Sequence, residues 1–177
     1  MMISACALLI HPEILTQKEA SASRTIVPSG AIIGIDGVSS LAQMGITSSR
    51  IMTTKPPRGL KDAPYIKENT IDLDTINTAT KIFEGTALEA AKGFPANVNV
   101  AATLSLAGIG AQKTQVEIWA DPSTSINSHE IIVESAYSRI SAKVENMPDP
   151  SNPKSSVLAA QSMIRALKNM TGDLVIV

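Results

Sequence analysis

Only two of the 177 residues are histidine, and an imidazole is the side chain whose ordinary pKa suits proton transfer at neutral pH. His11 stands before Pro12 at an expected corner between two elements and reads as a surface residue. His129 follows the polar loop Asp121-Pro122-Ser123-Thr124-Ser125-Ile126-Asn127-Ser128 and opens an expected strand. There it is either a general acid/base or a hydrogen-bonded structural group. His129-Glu130 starts like a zinc-protease helix, but residue 133 is Val, so the second ligand of that motif is missing. Cys6 is the single cysteine and can neither close an internal disulfide nor complete a zinc site; no metal is expected. Ser151-x-x-Lys154 has no accompanying S-D-N or K-T-G. No G-x-S-x-G or Walker A sequence occurs, and Gly30, Gly34 and Gly37 have the wrong spacing for the G-x-G-x-x-G turn that holds a pyrophosphate.

The elements that must position these groups follow from patterning. Residues 3–10 form an apolar run, read as a buried strand because it lacks the charged start of a signal peptide and is too short to span a membrane. Glu13 to Ser23 reads as a helix opened by Pro12, and Thr25-Ile26-Val27 as a second strand ended at Pro28-Ser29-Gly30. Strand, helix and strand in thirty residues outline a βαβ unit with a parallel pair. Val38, Leu41, Ala42 and Met44 predict a helix stopped by Gly45. Ile46 to Thr54 is strand-like, ended by Lys55-Pro56-Pro57-Arg58-Gly59; residues 60–80 are weakly periodic. Lys81 to Thr86 predicts a strand, and Ala87 to Lys92 a helix ending at Gly93. Asn97 is the expected N-cap of a small-residue helix running to Leu106. Thr114 to Trp119 predicts a strand with Val116 and Ile118 on one face. His129 to Glu134 and Arg139 to Glu145 predict a hairpin whose second arm alternates like a half-buried antiparallel strand. Residues 147–153, with three prolines, read as a rigid connector. Ser155 to Met170 predicts a helix with Val157, Ala160, Ile164 and Leu167 on one stripe.

Composition bounds the function. Hydrophobic residues make up 44% and charged residues 18%, which excludes a disordered chain. With 15 Lys and Arg against 16 Asp and Glu, nothing supplies the phosphate neutralisation that nucleic-acid binding needs, and the five aromatics are too scattered for a stacking platform. A cytoplasmic protein with no nucleic-acid or membrane partner is expected.

Several stretches together resemble the L-aspartate dehydrogenase family. They are Val27-Pro28-Ser29-Gly30-Ala31-Ile32-Ile33-Gly34-Ile35-Asp36-Gly37; Thr53-Thr54-Lys55-Pro56-Pro57; Phe94-Pro95-Ala96-Asn97-Val98-Asn99-Val100-Ala101-Ala102-Thr103-Leu104; Ala120-Asp121-Pro122; Asn127-Ser128-His129-Glu130-Ile131; and Glu145-Asn146-x-Pro148-x-Pro150-x-Asn152-Pro153-Lys154-Ser155-Ser156. They occur in the family's order between Val27 and Ser156, and the resemblance covers residues 3 to about 168.

The resemblance implies an α/β (α+β) fold, an open mixed β-sheet covered by helices. Residues 31–177 would form the substrate-binding and dimerisation domain of a dehydrogenase, and residues 1–30 a remnant of its dinucleotide-binding (Rossmann) domain. It implies that L-aspartate gives a hydride to NAD or NADP, forming iminoaspartate, in a reaction linked to NAD biosynthesis. His129 would be the catalytic acid/base, Ala31 and Asn99 would contact the cofactor, and the chain would form a homo-oligomer. The two substrate carboxylates need donors, for which Lys55 and Lys154 are candidates. Family members begin with a glycine-rich turn after their first strand, and this sequence starts beyond it. The expectation is therefore a truncated chain, with weak NAD affinity and no activity alone. The alternatives are a non-enzymatic oligomerisation module of the same descent, or a dehydrogenase for another amino acid.

Overall fold

Ile46 to Lys55, rich in β-branched residues, forms the central strand of a five-stranded sheet. The computed structural model describes residues 2, 4–19, 24–149 and 152–175, with the side chains of 17–19, 148, 149 and 152–155 left aside. Elements run in the order α1 (Cys6–Ile10), α2 (Glu13–Glu19), α3 (Ile35–Met44), β1 (Ile46–Lys55), α4 (Pro64–Glu68), β2 (Thr80–Thr86), α5 (Ala87–Gly93), α6 (Asn99–Ala107), β3 (Gln115–Ala120), β4 (Asn127–Ser135), β5 (Arg139–Asn146), β6 (Pro148–Asp149), β7 (Asn152–Ser156) and α7 (Val157–Thr171). The sheet order is β2-β3-β1-β4-β5. β1 and β3 are parallel and the other neighbouring pairs antiparallel, so the expected open mixed sheet is present.

Helices cover one face. Val116 and Ile118 of β3 and Ile131 and Val133 of β4 join Ile51 and the small residues Ala87, Ala90, Ala101 and Ala102 of α5 and α6 in one buried core. Small side chains let these helices lie close to each other and to the sheet. The reverse of the sheet carries Arg50, Met52, Glu117, Trp119, Glu130 and Ile132, exposed or half-buried. At the β2–α5 junction a capping box satisfies two helix-end donors: Thr86 Oγ1 accepts from Glu89 N–H, and Glu89 accepts from Thr86 N–H.

Three expectations need correction. Residues 6–10 are a helix, α1, and not part of a strand. The core of the run, Ala5-Cys6-Ala7-Leu8-Leu9, contains no β-branched residue, and Ala and Leu are strong helix formers; a short apolar run alone cannot decide between the two states. Thr25-Ile26-Val27 belongs to no sheet, although Ile26 O accepts a backbone bond from Met2 N–H at 2.8 Å. The parallel βαβ unit is thus not formed among the described residues. The Ala5, Cys6 and Leu9 side chains instead enter the core shared with Val38 and Ile51. The proline-rich connector holds a two-stranded ribbon, β6 with β7. The helix expected to Ser23 extends through Glu19, and residues 20–23 lie outside the described ones.

α7 forms where its periodicity predicts, but its stripe faces outward. Val157, Ile164 and Leu167 are 47%, 45% and 53% exposed. Among the described residues no helix is long and apolar enough to cross a membrane.

Candidate active site

Strand register builds a polar patch at one end of a largely apolar sheet face. Thr53 of β1 stands opposite His129 of β4, and Asn127 of β4 opposite Asn146 of β5. Side chains alternate across a strand, so Ser49, Ile51, Thr53 and Lys55 share the inward face of β1, and His129, Ile131 and Val133 that of β4; all are buried. Ile51, Ile131 and Val133 serve the core. Thr53, Lys55 and His129 lie beyond them, where β1 and β3 end.

A cavity of about 320 Å³ opens at this end. Its walls include the segment from Pro28 to Ala31, Lys55, Asn97, Asn99, Asn127, His129 and Asn146, with Ser156 and Ala159 at the start of α7. Among the described residues, no aspartate or glutamate lines it. That combination of a few polar groups within a small concave site is what a small-molecule pocket needs.

His129 is 4% exposed. Burial, and then the positive charge of Lys55, pull its pKa from 6.5 down to about 3, so it is neutral at pH 7. Its Nδ1 lies 3.0 Å from Thr53 Oγ1. Lys55 is 9% exposed, and burial lowers its pKa from 10.5 to about 8. It therefore remains mainly protonated at pH 7, yet among the described residues no carboxylate pairs with it. A buried ammonium with no carboxylate beside it among the described residues favours an anionic ligand.

Ala31 is buried on the cavity wall, and its carbonyl accepts from Asn146 Nδ2 at 3.1 Å. The Ser156 hydroxyl donates to Asn146 Oδ1 at 2.8 Å, so Asn146 ties the Ala31 segment to the approach of α7. Gly30 N–H is held from the same side by Ser162 Oγ at 3.1 Å. Asn99 is the first residue of α6, and its Oδ1 accepts from Cys6 N–H at 3.1 Å. It caps the start of α1 and not its own helix, leaving its amide hydrogens as the groups it can offer a ligand. Asn97 is not the N-cap; Val98 holds that position without a side-chain bond, and Asn97 faces the cavity instead.

The residues expected at the site, His129, Ala31, Asn99 and Lys55, thus meet around one cavity. The Lys154 side chain lies outside the described residues. His11 is away from the cavity, exposed and paired with Glu13 at 3.0 Å. Sequence reasoning missed Thr53, Asn127 and Asn146 as site residues. The signal for Thr53 was available, since it stands two residues before Lys55 on a strand and must share its face.

The family model described as "Aspartate dehydrogenase, C-terminal" matches residues 36–170. The chain belongs to the aspartate dehydrogenase family. It is 55% identical over 143 residues to an L-aspartate dehydrogenase of Methanosarcina mazei, a match covering 81% of this chain and 53% of that protein. A second, from Bradyrhizobium diazoefficiens, is 46% identical over 173 residues, covering 98% of this chain and 61% of the relative. The crystal structure of aspartate dehydrogenase from Thermotoga maritima superposes with a TM-score of 0.77 at 32% identity, over 99% of this chain and 66% of that one. The chain spans little more than half the length of the curated relatives it matches. The part matched to the aspartate dehydrogenase C-terminal model carries Thr53, Lys55, Asn99, His129 and Asn146, while Ala31 lies just before it.

Proposed function

We propose that the chain is the substrate-binding part of an L-aspartate dehydrogenase, with residues 31–177 forming the substrate and oligomerisation domain and residues 1–30 the end of the nucleotide-binding one. The reaction is transfer of hydride from L-aspartate to NAD or NADP, giving iminoaspartate and a proton. Water then converts iminoaspartate to oxaloacetate and ammonia, or it is consumed in NAD biosynthesis. The observation that carries this reading is a buried, neutral His129 beside a buried Lys55 that, among the described residues, has no ion-pair partner and shares its cavity with no carboxylate.

In this reading each residue has a task. Lys55 holds one carboxylate of the diacid, and Asn97 and Asn127 of the cavity lining offer neutral donors. His129 takes a proton from the substrate amine or from water, so that no high-energy charged species accumulates. An anion seated against Lys55 offsets the cation that disfavours imidazolium, so His129 becomes a stronger base when the cavity is filled. The free amide hydrogens of Asn99 and the small Ala31 fit the nicotinamide end of a dinucleotide. The sequence has no glycine-rich turn for its pyrophosphate. When bound, the nicotinamide supplies the hydride acceptor.

In a polypeptide extended to the length of the relatives, His129→Asn should lower kcat for aspartate oxidation at least 100-fold, a loss typical of removing a general base, with little change in cofactor affinity. Unchanged turnover would remove the assignment. For this chain alone, a fluorescence titration should show only weak NADH binding; micromolar affinity would contradict that expectation. A cytoplasmic homo-oligomer belongs to the same proposal. It is favoured by the exposed apolar stripe of α7, because patches of this kind mark contact surfaces. Sedimentation of a monomer at all concentrations would count against it.

A further inference from the structure

His129 can exist as two neutral tautomers, and only one offers a base to the cavity. If the Nδ1 hydrogen is donated to Thr53 Oγ1, Nε2 carries a lone pair. If the threonine hydroxyl donates to Nδ1, Nε2 carries the hydrogen instead. Which form is present depends on the bond made by the other ring nitrogen.

Thr53 is well placed to decide it. It stands directly opposite His129 in the β1–β4 pair, is 1% exposed, and its Oγ1 lies 3.0 Å from Nδ1. A hydroxyl can accept or donate, so the surroundings choose. Lys55 is two residues along the same inward face, lines the same cavity as His129, and acts on the ring with its positive charge. A nearby cation favours a lone pair facing it over an N–H dipole. We propose that Thr53 is a positioning residue: it accepts the Nδ1 hydrogen of His129 and so holds Nε2 as the unprotonated atom facing the ligand. Because Thr53 is neutral, it orients the ring without adding the negative charge by which a carboxylate partner would stabilise imidazolium. This inference rests on the reading of His129 as a proton acceptor.

The test is the nitrogen-15 spectrum of the histidine side chains in this chain, where only His11 and His129 contribute. The wild type and Thr53→Ser should show His129 protonated at Nδ1 and bare at Nε2. Thr53→Val should lose that single tautomer and show the Nε2–H form or a mixture. A protonated Nε2 in the wild type would overturn the proposal without any variant, so it stays testable even if Thr53→Val fails to fold. A folded Thr53→Val with the wild-type tautomer would overturn it equally. Titration with L-aspartate separates the two ideas. If Nε2 never responds, the functional reading fails while the positioning role stands. If it responds but the tautomer ignores Thr53, the reverse holds.

Discussion

Replacing Lys55 with methionine should make the folded chain more stable at neutral pH while weakening its grip on a dicarboxylate. The ammonium is buried, and among the described residues it has no ion-pair partner. Burial lowers its pKa from 10.5 to about 8; at about 1.4 kcal/mol per pH unit, that is a cost of about 3 kcal/mol to keep it charged in the folded state. Methionine has a similar flexible stem and fills the same space without the charge. The gain should therefore be on the order of 1–3 kcal/mol, part of the benefit being lost to altered packing. The sign follows from linkage. Between pH 8 and 10.5 the unfolded chain holds a proton that the folded chain has released, so wild-type stability rises with pH through that window. The advantage of Lys55→Met should be largest below pH 8 and shrink towards pH 10.5. Urea unfolding of both proteins across that range, with calorimetric titration of L-aspartate at pH 7, measures both effects. A variant that is less stable at pH 7, or an advantage that does not change with pH, would refute the burial argument. Unchanged aspartate affinity would refute the anchoring role.

His129 gives a second pH signature at the acid end. Its folded pKa is lowered from 6.5 to about 3, so the unfolded chain takes up a proton that the folded one refuses. Stability should fall as pH drops through this window, by about 2 kcal/mol between neutrality and pH 5 from this group alone. His129→Gln should flatten that part of the profile in urea unfolding, and an identical slope would contradict the burial of a neutral ring. Gly85→Ala should destabilise by about 1–3 kcal/mol through overpacking. Its added carbon would lie 2.8 Å from Phe83 Cζ and 2.9 Å from Glu89 Oε2, disturbing both the Tyr65–Phe83–Phe94 ring cluster and the cap of α5. An unchanged unfolding midpoint would show that these neighbours can yield.

Local patterning was enough for much of the sheet. The alternation in Arg139 to Glu145, the β-branched run from Ile46 and the helix stop at Gly45 all lie in the elements expected there. These signals work because strand and helix periodicities differ and are written in adjacent residues. They fail where the deciding contacts are distant. The apolar residues 3–10 carried no period, and Cys6 N–H meets its cap on Asn99, 93 positions away. Asn97 was the expected cap of α6, but Val98 holds that position and Asn99 caps α1 instead, because what decides is which neighbour each asparagine reaches.

The sequence by itself determined that this is a mixed α/β chain of the aspartate dehydrogenase type, with His129 as its principal candidate for proton transfer. It determined this through residue types, their periods and the order of six short stretches. Packing alone established that Lys55 is a buried cation with no ion-pair partner among the described residues and that Thr53 addresses the imidazole. It also decided that Asn146 secures the Ala31 carbonyl and that the apolar stripe of α7 is uncovered. Desolvation and hydrogen bonding between segments 76 and 115 residues apart are properties of the packed whole, and no local pattern encodes them.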